Sequence, residues 1–170
     1  MAQTKIRTKK ATALLREDHR KVKKLFSQYE KLEDEDSEEK GELFQTIQKE
    51  LTIHAQIEEE LFYPALEKVD DEETRKLVLE AHEEHSLVKT YLAELSKMTP
   101  EDETFDAKMK VLMENVKTHA DEEEEELFPC FEEDVPKESR DQISEQLRLR
   151  KEELMTGGGE ESEEEGGASA

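Results

Sequence analysis

Apolar residues recur along the chain at spacings of three and four, which places them on one face of successive helices. The first stripe belongs to a helix predicted from about residue 10 to residue 31, and it consists of Leu15, His19, Val22, Phe26 and Tyr29. His19 therefore occupies a position where the pattern expects an apolar side chain.

A second helix is predicted to begin at Ser37, because serine is a favourable N-cap and two glutamates follow it near the positive end of the helix dipole. Its stripe consists of Phe44, Ile47, Leu51, His54, Glu58, Leu61 and Ala65. Both His54 and Glu58 are thus predicted to face the core.

Two further stripes follow. The third consists of Val78, Ala81, His85, Val88, Leu92 and Leu95, and the fourth consists of Phe105, Met109, Leu112, Val116, His119 and Glu123. We place the start of the fourth helix at Thr99-Pro100, with Thr99 as N-cap and Pro100 in the first helical position. Beyond Glu123 the register reaches Glu126, and the neighbouring Leu127 takes over as the apolar anchor.

These stripes predict an all-α protein, an up-down antiparallel four-helix bundle. A weaker pattern of Ile143, Leu147 and Leu154 after Pro136 predicts a short additional C-terminal helix. We expect residues 1–9 to form a flexible N-terminus, residues 10–155 to form the bundle with this extra helix, and residues 156–170 to form a disordered acidic tail. A length of 170 residues with 33% hydrophobic content is consistent with one such domain.

The polar positions on the stripes form an internal repeat. Residues 54–64 read HAQIEEELFYP and residues 119–129 read HADEEEEELFP, so each proline follows its histidine by ten residues. A single histidine precedes each segment, with His19 35 residues before His54 and His85 34 residues before His119. The repeat predicts two helical hairpins related by a pseudo-twofold axis.

A histidine and a glutamate four residues apart are neighbours on a helix and can chelate one metal or a close pair of metals. The candidate metal ligands are His19, His54, Glu58, His85, His119 and Glu123. An unpaired carboxylate in a bundle core loses several kcal/mol of hydration, which favours a metal at these positions. The alternative is that the two glutamates pair with buried Lys or protonated His and only fix the register. Imidazole and carboxylate ligands suit iron, manganese or zinc, and a carboxylate-rich site between bundle helices favours a pair of irons.

The charge of the chain narrows the range of partners. A net charge of -22 repels phosphate backbones and anionic membranes, so we expect neither nucleic acid nor membrane as a partner. The single cysteine excludes an intrachain disulfide framework, and no long apolar run occurs. A cytoplasmic location is the simplest interpretation.

The ordered ligand pattern resembles that of the hemerythrin-like, or HHE cation-binding, domains, which is His, His-x-x-x-Glu, His, His-x-x-x-Glu. The resemblance covers about residues 11 to 134, and the contexts REDH around His19, EEHSLV around His85 and EEELFP before Cys130 are typical of that family. It implies two non-haem iron ions with an oxo or hydroxo bridge. All six candidate residues then act as ligands, with Glu58 and Glu123 as bridging carboxylates.

The third helix departs from the oxygen-carrying hemerythrins. Those proteins have a His-x-x-x-His pair there and an Asp late on the fourth helix, whereas this chain has His82-x-x-His85 and Glu123. His82 lies beside the stripe and is an additional candidate ligand, a supporting group or a surface residue. With fewer imidazoles, the site is expected to be more exchangeable than that of an oxygen carrier.

The leading hypothesis is a di-iron protein that binds or responds to O2, NO or peroxide, in sensing, iron handling or stress defence. One alternative is an enzyme that turns over peroxide or NO, and a further one is a structural acidic bundle that acts through a protein partner. Tyr29 and Tyr63 are interpreted as packing residues, with hydrogen bonding near the metals as the alternative. Glu59 or Glu124 is a candidate to orient a ligating histidine.

Overall fold

A computed structural model describes residues 9–157, in which every regular element is a helix. The α-helices are α1 (Ala11–Glu30), α2 (Ser37–Ile57), α3 (Tyr63–Glu67), α4 (Glu72–Leu95), α5 (Phe105–Glu122), α6 (Phe128–Asp134) and α7 (Lys137–Thr156). Two π-helical turns, π1 (Glu58–Phe62) and π2 (Glu123–Leu127), join α2 to α3 and α5 to α6. The predicted all-α class is confirmed. The predicted flexible N-terminus and acidic tail fall largely on residues 1–8 and 158–170, which lie outside the described residues.

Four long helices enclose the core. Helix α1 packs against α2, α2 against α4, α4 against α5, and α5 against α1, so the contacts close into a ring. The interior contains two apolar clusters, one around Phe62 and Phe128 and the other around Phe26 and Phe105. On each of these four helices, the buried histidine falls in sequence between a residue of one cluster and a residue of the other. The histidines therefore form a polar layer between two apolar ones.

The π-helical turns change the predicted stripe. Leu61, predicted to be a core anchor, is only partly buried and packs against the edge of the cluster around Phe62, whereas Phe62 itself is fully buried. A π turn accommodates one more residue than an α turn, so the residues after Glu58 face the core one position later. The same shift in π2 buries Leu127 and leaves Glu126 exposed.

The predicted start of the fourth helix at Thr99-Pro100 is also wrong, because α5 begins at Phe105. The carboxylate of Asp102 accepts a hydrogen bond from the backbone N–H of Thr99 at 2.7 Å. Backbone hydrogen bonds from Asp102 N–H to the Thr99 carbonyl and from Phe105 N–H to the Asp102 carbonyl, both 2.9 Å, form the turns that precede α5.

Helix α7 is longer than the sequence pattern indicated, with 20 residues, the same length as α1. It packs against α1 and α2, although Leu147 is its only fully buried apolar residue. Its length comes from charged helix formers that pair along its surface, such as Arg148 with Glu152 at 3.3 Å. Within residues 9–157, no helix is long and apolar enough to cross a membrane.

Candidate metal centre

The structure brings all six predicted ligands together in two overlapping groups. One group is His19, His54, Glu58 and Glu123, and the other is Glu58, His85, His119 and Glu123. Within each group, one nitrogen or oxygen atom per residue lies within 4.8 Å of the others. None of the six residues is more than 6% exposed, so water does not compensate for their polarity.

The imidazole nitrogens are spaced as ligands of a shared metal ion would be. Nε2 of His19 lies 3.1 Å from Nε2 of His54, and Nε2 of His85 lies 3.1 Å from Nε2 of His119. Two ligands about 2.1 Å from one metal at a right angle are about 3.0 Å apart. Each pair therefore fits one metal position.

Each of the two carboxylates reaches both groups. Oε1 of Glu58 lies 3.0 Å from Nε2 of His54, and Oε2 of Glu58 lies 3.2 Å from Nε2 of His85. Oε2 of Glu123 lies 3.2 Å from His19, and Oε1 lies 3.5 Å from His119. Each glutamate thus turns one oxygen towards each group, which is the arrangement that a bridging carboxylate requires.

Two of these buried oxygens, Oε1 of Glu58 and Oε2 of Glu123, lack a hydrogen-bond partner, although imidazole nitrogens lie at ion-pair distance. A buried charged oxygen without a hydrogen bond is costly unless a cation compensates it. The residues therefore fit a pair of metal ions that take nitrogen and oxygen ligands, as iron, manganese and zinc do.

A second layer of carboxylates orients the imidazoles. Each Nδ1–H donates a hydrogen bond to a different side chain, with Asp18 3.1 Å from His54, Glu124 2.8 Å from His19, Glu59 2.9 Å from His85, and Glu84 bonded to His119. A hydrogen on Nδ1 leaves the lone pair of Nε2 directed at the metal position.

This layer repeats the symmetry of the two hairpins. The acid immediately before each single histidine, Asp18 or Glu84, bonds the other histidine of its own hairpin. The acid immediately after each shared glutamate, Glu59 or Glu124, bonds the single histidine of the opposite hairpin. Glu59 and Glu124 were predicted from the sequence to orient ligating histidines, whereas Asp18 and Glu84 were not. An acid directly before the single histidine in both halves was the available signal.

The carboxylates shift the protonation of the imidazoles. Burial alone would lower the pKa of His54, but Glu58 and Asp18 raise it well above its usual value. Burial also opposes protonation of His119, yet Glu123 and Glu84 raise its pKa to about 9. In turn, His54 and His85 outweigh the effect of burial and hold the pKa of Glu58 well below its usual value. Without metal, protons on these imidazoles supply the positive charge that the carboxylates require.

Tyr63 breaks the symmetry of the centre. Its hydroxyl donates to Oε1 of Glu123 at 2.5 Å and lies 3.1 Å from Nε2 of His85. Burial and the two shared glutamates raise the pKa of this hydroxyl well above its usual value. At the matching position, Phe128 stacks on His19 with 5.7 Å between ring centroids. Tyr63 therefore adds a polar contact to the packing role assigned from the sequence. The hydroxyl of Tyr29 instead donates to Asp106.

His82 lies outside both groups. Its side chain is 37% exposed and its Nε2 is 3.3 Å from Oε1 of Glu67. Its ring meets Tyr63 edge-on, with 5.1 Å between centroids. In this arrangement, His82 contacts the surroundings of the centre and does not converge with the six predicted ligands.

A small apolar cavity of about 30 Å³ borders the centre. All four buried histidines line it, together with Val22, Leu51, Val88 and Val116. So small a volume with these walls suits a small molecule of low polarity better than a hydrated ion.

A helical ring that buries four imidazoles and two shared carboxylates defines the class of the protein as a helical metal-binding domain. The sequence profile of the Hemerythrin HHE cation binding domain matches residues 10–131, so the chain belongs to this family.

Relatives of known sequence and structure agree with this assignment. The crystal structure of an HHE cation binding domain-containing protein from Mycobacterium kansasii has a TM-score of 0.73 and 28% identity, and the match covers 86% of this chain and 87% of that one. An uncharacterised hemerythrin-like protein of Schizosaccharomyces pombe is 30% identical over 71% of this chain and 59% of its own length. A DNA nickase of Nostoc sp. is 28% identical over 83% of this chain and 39% of its own length. The chain thus spans 39% to 59% of these two curated relatives.

Proposed function

We propose that this protein holds two non-haem iron ions in an up-down antiparallel bundle and binds or responds to O2, NO or peroxide. The proposal rests on Glu58 and Glu123, because each of them turns one carboxylate oxygen towards one group of histidines and its other oxygen towards the other group. His19 and His54 would hold one ion, His85 and His119 would hold the other, and Glu58 and Glu123 would be shared. Once bound, the irons would exchange electrons with a small ligand.

The apolar cavity supports the class of ligand. Its size matches a diatomic molecule or peroxide, and its valine and leucine walls exclude bulk water from the histidines. The physiological role that we propose is sensing, iron handling, or oxidative or nitrosative stress defence.

Metal analysis tests the centre directly. We expect two irons per chain and a near-ultraviolet absorption of the oxidised protein, and both should fall strongly in His54→Ala and Glu123→Gln. His82→Ala is the matched control, because this histidine lies outside both groups. Full iron content and unchanged absorption in the first two variants would exclude the ligand assignment.

Tyr63 favours a second candidate function, an enzyme that turns over peroxide or NO. Its hydroxyl is a buried hydrogen-bond donor within reach of both Glu123 and His85, so it lies beside the positions where a ligand of the proposed irons would bind. Repeated consumption of peroxide or NO by the iron-loaded protein, slowed in Tyr63→Phe, would support an enzyme. A single stoichiometric event would support a sensor or carrier.

The third candidate, a structural acidic bundle that binds a protein partner, predicts no dependence on metal. A melting temperature unchanged by added iron would favour it, since a ligand specific to the native state must stabilise that state. The DNA-nicking activity named for the Nostoc relative is not transferred to this chain, because a net charge of -22 opposes binding to phosphate backbones.

A further inference from the structure

A second cavity, of about 110 Å³, lies between α4 and the residues at the end of α5 and in π2. Its polar lining consists of Glu80, Glu84, His119, Glu122, Glu123 and Glu126. Leu77, Ala81 and Leu127 complete the wall, so no Lys or Arg is among the described residues that line it. The cavity thus presents carboxylates to whatever enters it.

The cavity runs from solvent to the metal centre. Glu80, Glu122 and Glu126 are exposed, Glu84 is partly buried, and His119 and Glu123 are buried at its inner end. Glu84 lies between the exposed and the buried residues of this lining, and it accepts the Nδ1 hydrogen bond of His119.

The inner end provides an observation independent of the acidic cluster. Glu123 and His119, at most 6% exposed, line this end, and both belong to one of the groups of converging nitrogen and oxygen atoms. A buried carboxylate of this kind at the end of an open cavity is a binding partner for a cation that arrives through it.

The apolar cavity on another side of the centre differs in chemistry. Its walls include Val22 and Val88, and Lys23 lies at its rim, paired with Asp121 at 2.6 Å. Besides the four imidazoles, the described residues of its lining include one carboxylate, Asp18, which is already bonded to His54 and Lys151, so this approach offers a cation fewer carboxylates than the acidic cavity does. The two cavities therefore offer separate approaches for a cation and for a ligand of low polarity.

We propose that the acidic cavity is the route by which a divalent cation reaches the centre, with Glu80 and Glu126 at its mouth. This inference rests on the proposed metal centre. The mouth carboxylates raise the local concentration of cations and exchange their water for carboxylate oxygens. The cation then passes Glu84 and Glu122 to meet His119 and Glu123.

Stopped-flow uptake of Co²⁺ by the metal-free protein tests the route, with the visible absorption of Co²⁺ as the readout. We expect E80Q/E126Q to take up Co²⁺ about three- to tenfold more slowly than the wild type at low ionic strength. The final stoichiometry should be the same, because neither residue is among the six ligands. The difference should shrink at high salt, where the charges of the mouth are screened.

The matched control is E101Q/E114Q, which removes the same two charges from exposed positions that do not line the cavity. It should load at the wild-type rate. Equal rates in E80Q/E126Q and the wild type, or equal slowing in both double variants, would overturn the route. Failure of the wild type to bind Co²⁺ at any concentration would instead overturn the metal centre, so the two failures are distinguishable.

Discussion

The hydroxyl of Tyr63 lies 2.5 Å from Oε1 of Glu123, one of the two carboxylates that the histidine groups share. In the other hairpin, Phe128 occupies the equivalent position; it makes ring contacts with His19 and Phe62 and a cation–π contact with Arg16, and it has no hydroxyl. The two halves of the centre therefore differ by one hydroxyl, which lies on the side of His85.

Tyr63→Phe should lower the free energy of unfolding of the metal-free protein by about 1–3 kcal/mol, because buried Glu123 loses a hydrogen-bond donor. The loss should be smaller in the metal-loaded protein, where cations compensate the carboxylate. Urea unfolding with and without metal measures both values. Tyr29→Phe is the control, since it removes a 2.5 Å bond to Asp106 on another part of the bundle. Its effect should be independent of metal, and the same independence in Tyr63→Phe would contradict the prediction.

Glu84→Gln and Asp18→Asn should each weaken metal binding by about 10- to 100-fold, because they remove the carboxylates that orient His119 and His54. Competition with a chromophoric chelator measures the affinity. Glu94→Gln, which breaks an exposed pair with Lys108, should leave it unchanged. Affinities equal to that of the wild type in the first two variants would show that the outer carboxylates do not support the ligands.

The stability of the metal-free protein should fall as the pH rises. The pKa of His119 is raised from 6.5 to about 9, so its stabilising contribution is complete below pH 6.5 and is lost as the pH passes 9. At 1.36 kcal/mol per pKa unit, the loss amounts to about 3 kcal/mol. Unfolding by urea at pH 6.5 and pH 9.5 measures it, and the slope should be shallower in His119→Gln. A stability that stays constant over this range in the wild type would count against the protonated imidazole.

Metal affinity should show the opposite trend. A metal requires neutral imidazoles, so binding must displace the protons held by His54 and His119. The apparent affinity should therefore increase from pH 6.5 to about pH 9, and binding in a weakly buffered solution should release protons. Calorimetry in buffers of different ionisation enthalpy counts them. No proton release at pH 7 would contradict the protonation of these residues.

Added metal should raise the unfolding midpoint of the wild type. At a free concentration 100 times the dissociation constant, the gain is about 2.7 kcal/mol. Glu58→Gln should abolish most of this gain, because Glu58 belongs to both groups of ligands. Thermal unfolding followed by circular dichroism provides the measurement. A midpoint that metal raises equally in both proteins would place the bound ions elsewhere.

Much of the centre was predictable because its ligands occupy core positions of regular helices. His19, His54, His85 and His119 all lie on 3-4 stripes, and in the structure all are buried between the two apolar clusters. The spacing of such stripes depends only on the α-helical period, which the sequence records directly.

Prediction failed where the helical period changed. A stripe drawn with α-helical spacing from Glu58 reaches Leu61, whereas π1 brings Phe62 inward. In the fourth stripe, the α-helical register reaches Glu126 while the apolar residue is Leu127, and this shift by one position indicated such a turn. Hydrogen bonding by Tyr63 near the metals was the alternative to packing, but its partners were not predictable, because they lie 22 and 60 positions away in the sequence.

The outer carboxylate layer also determines when the centre can assemble during synthesis. The bond between His19 and Glu124 spans 105 positions, and the ion pair between Asp18 and Lys151 of α7 spans 133. At about 5–20 residues per second, a ribosome needs roughly 5–20 s to extend the chain from His19 to Glu124. During that interval His54 can bond Asp18 within the first hairpin, but His19 lacks its carboxylate partner Glu124. The complete set of six candidate ligands and four outer carboxylates is therefore present only after both hairpins have been made.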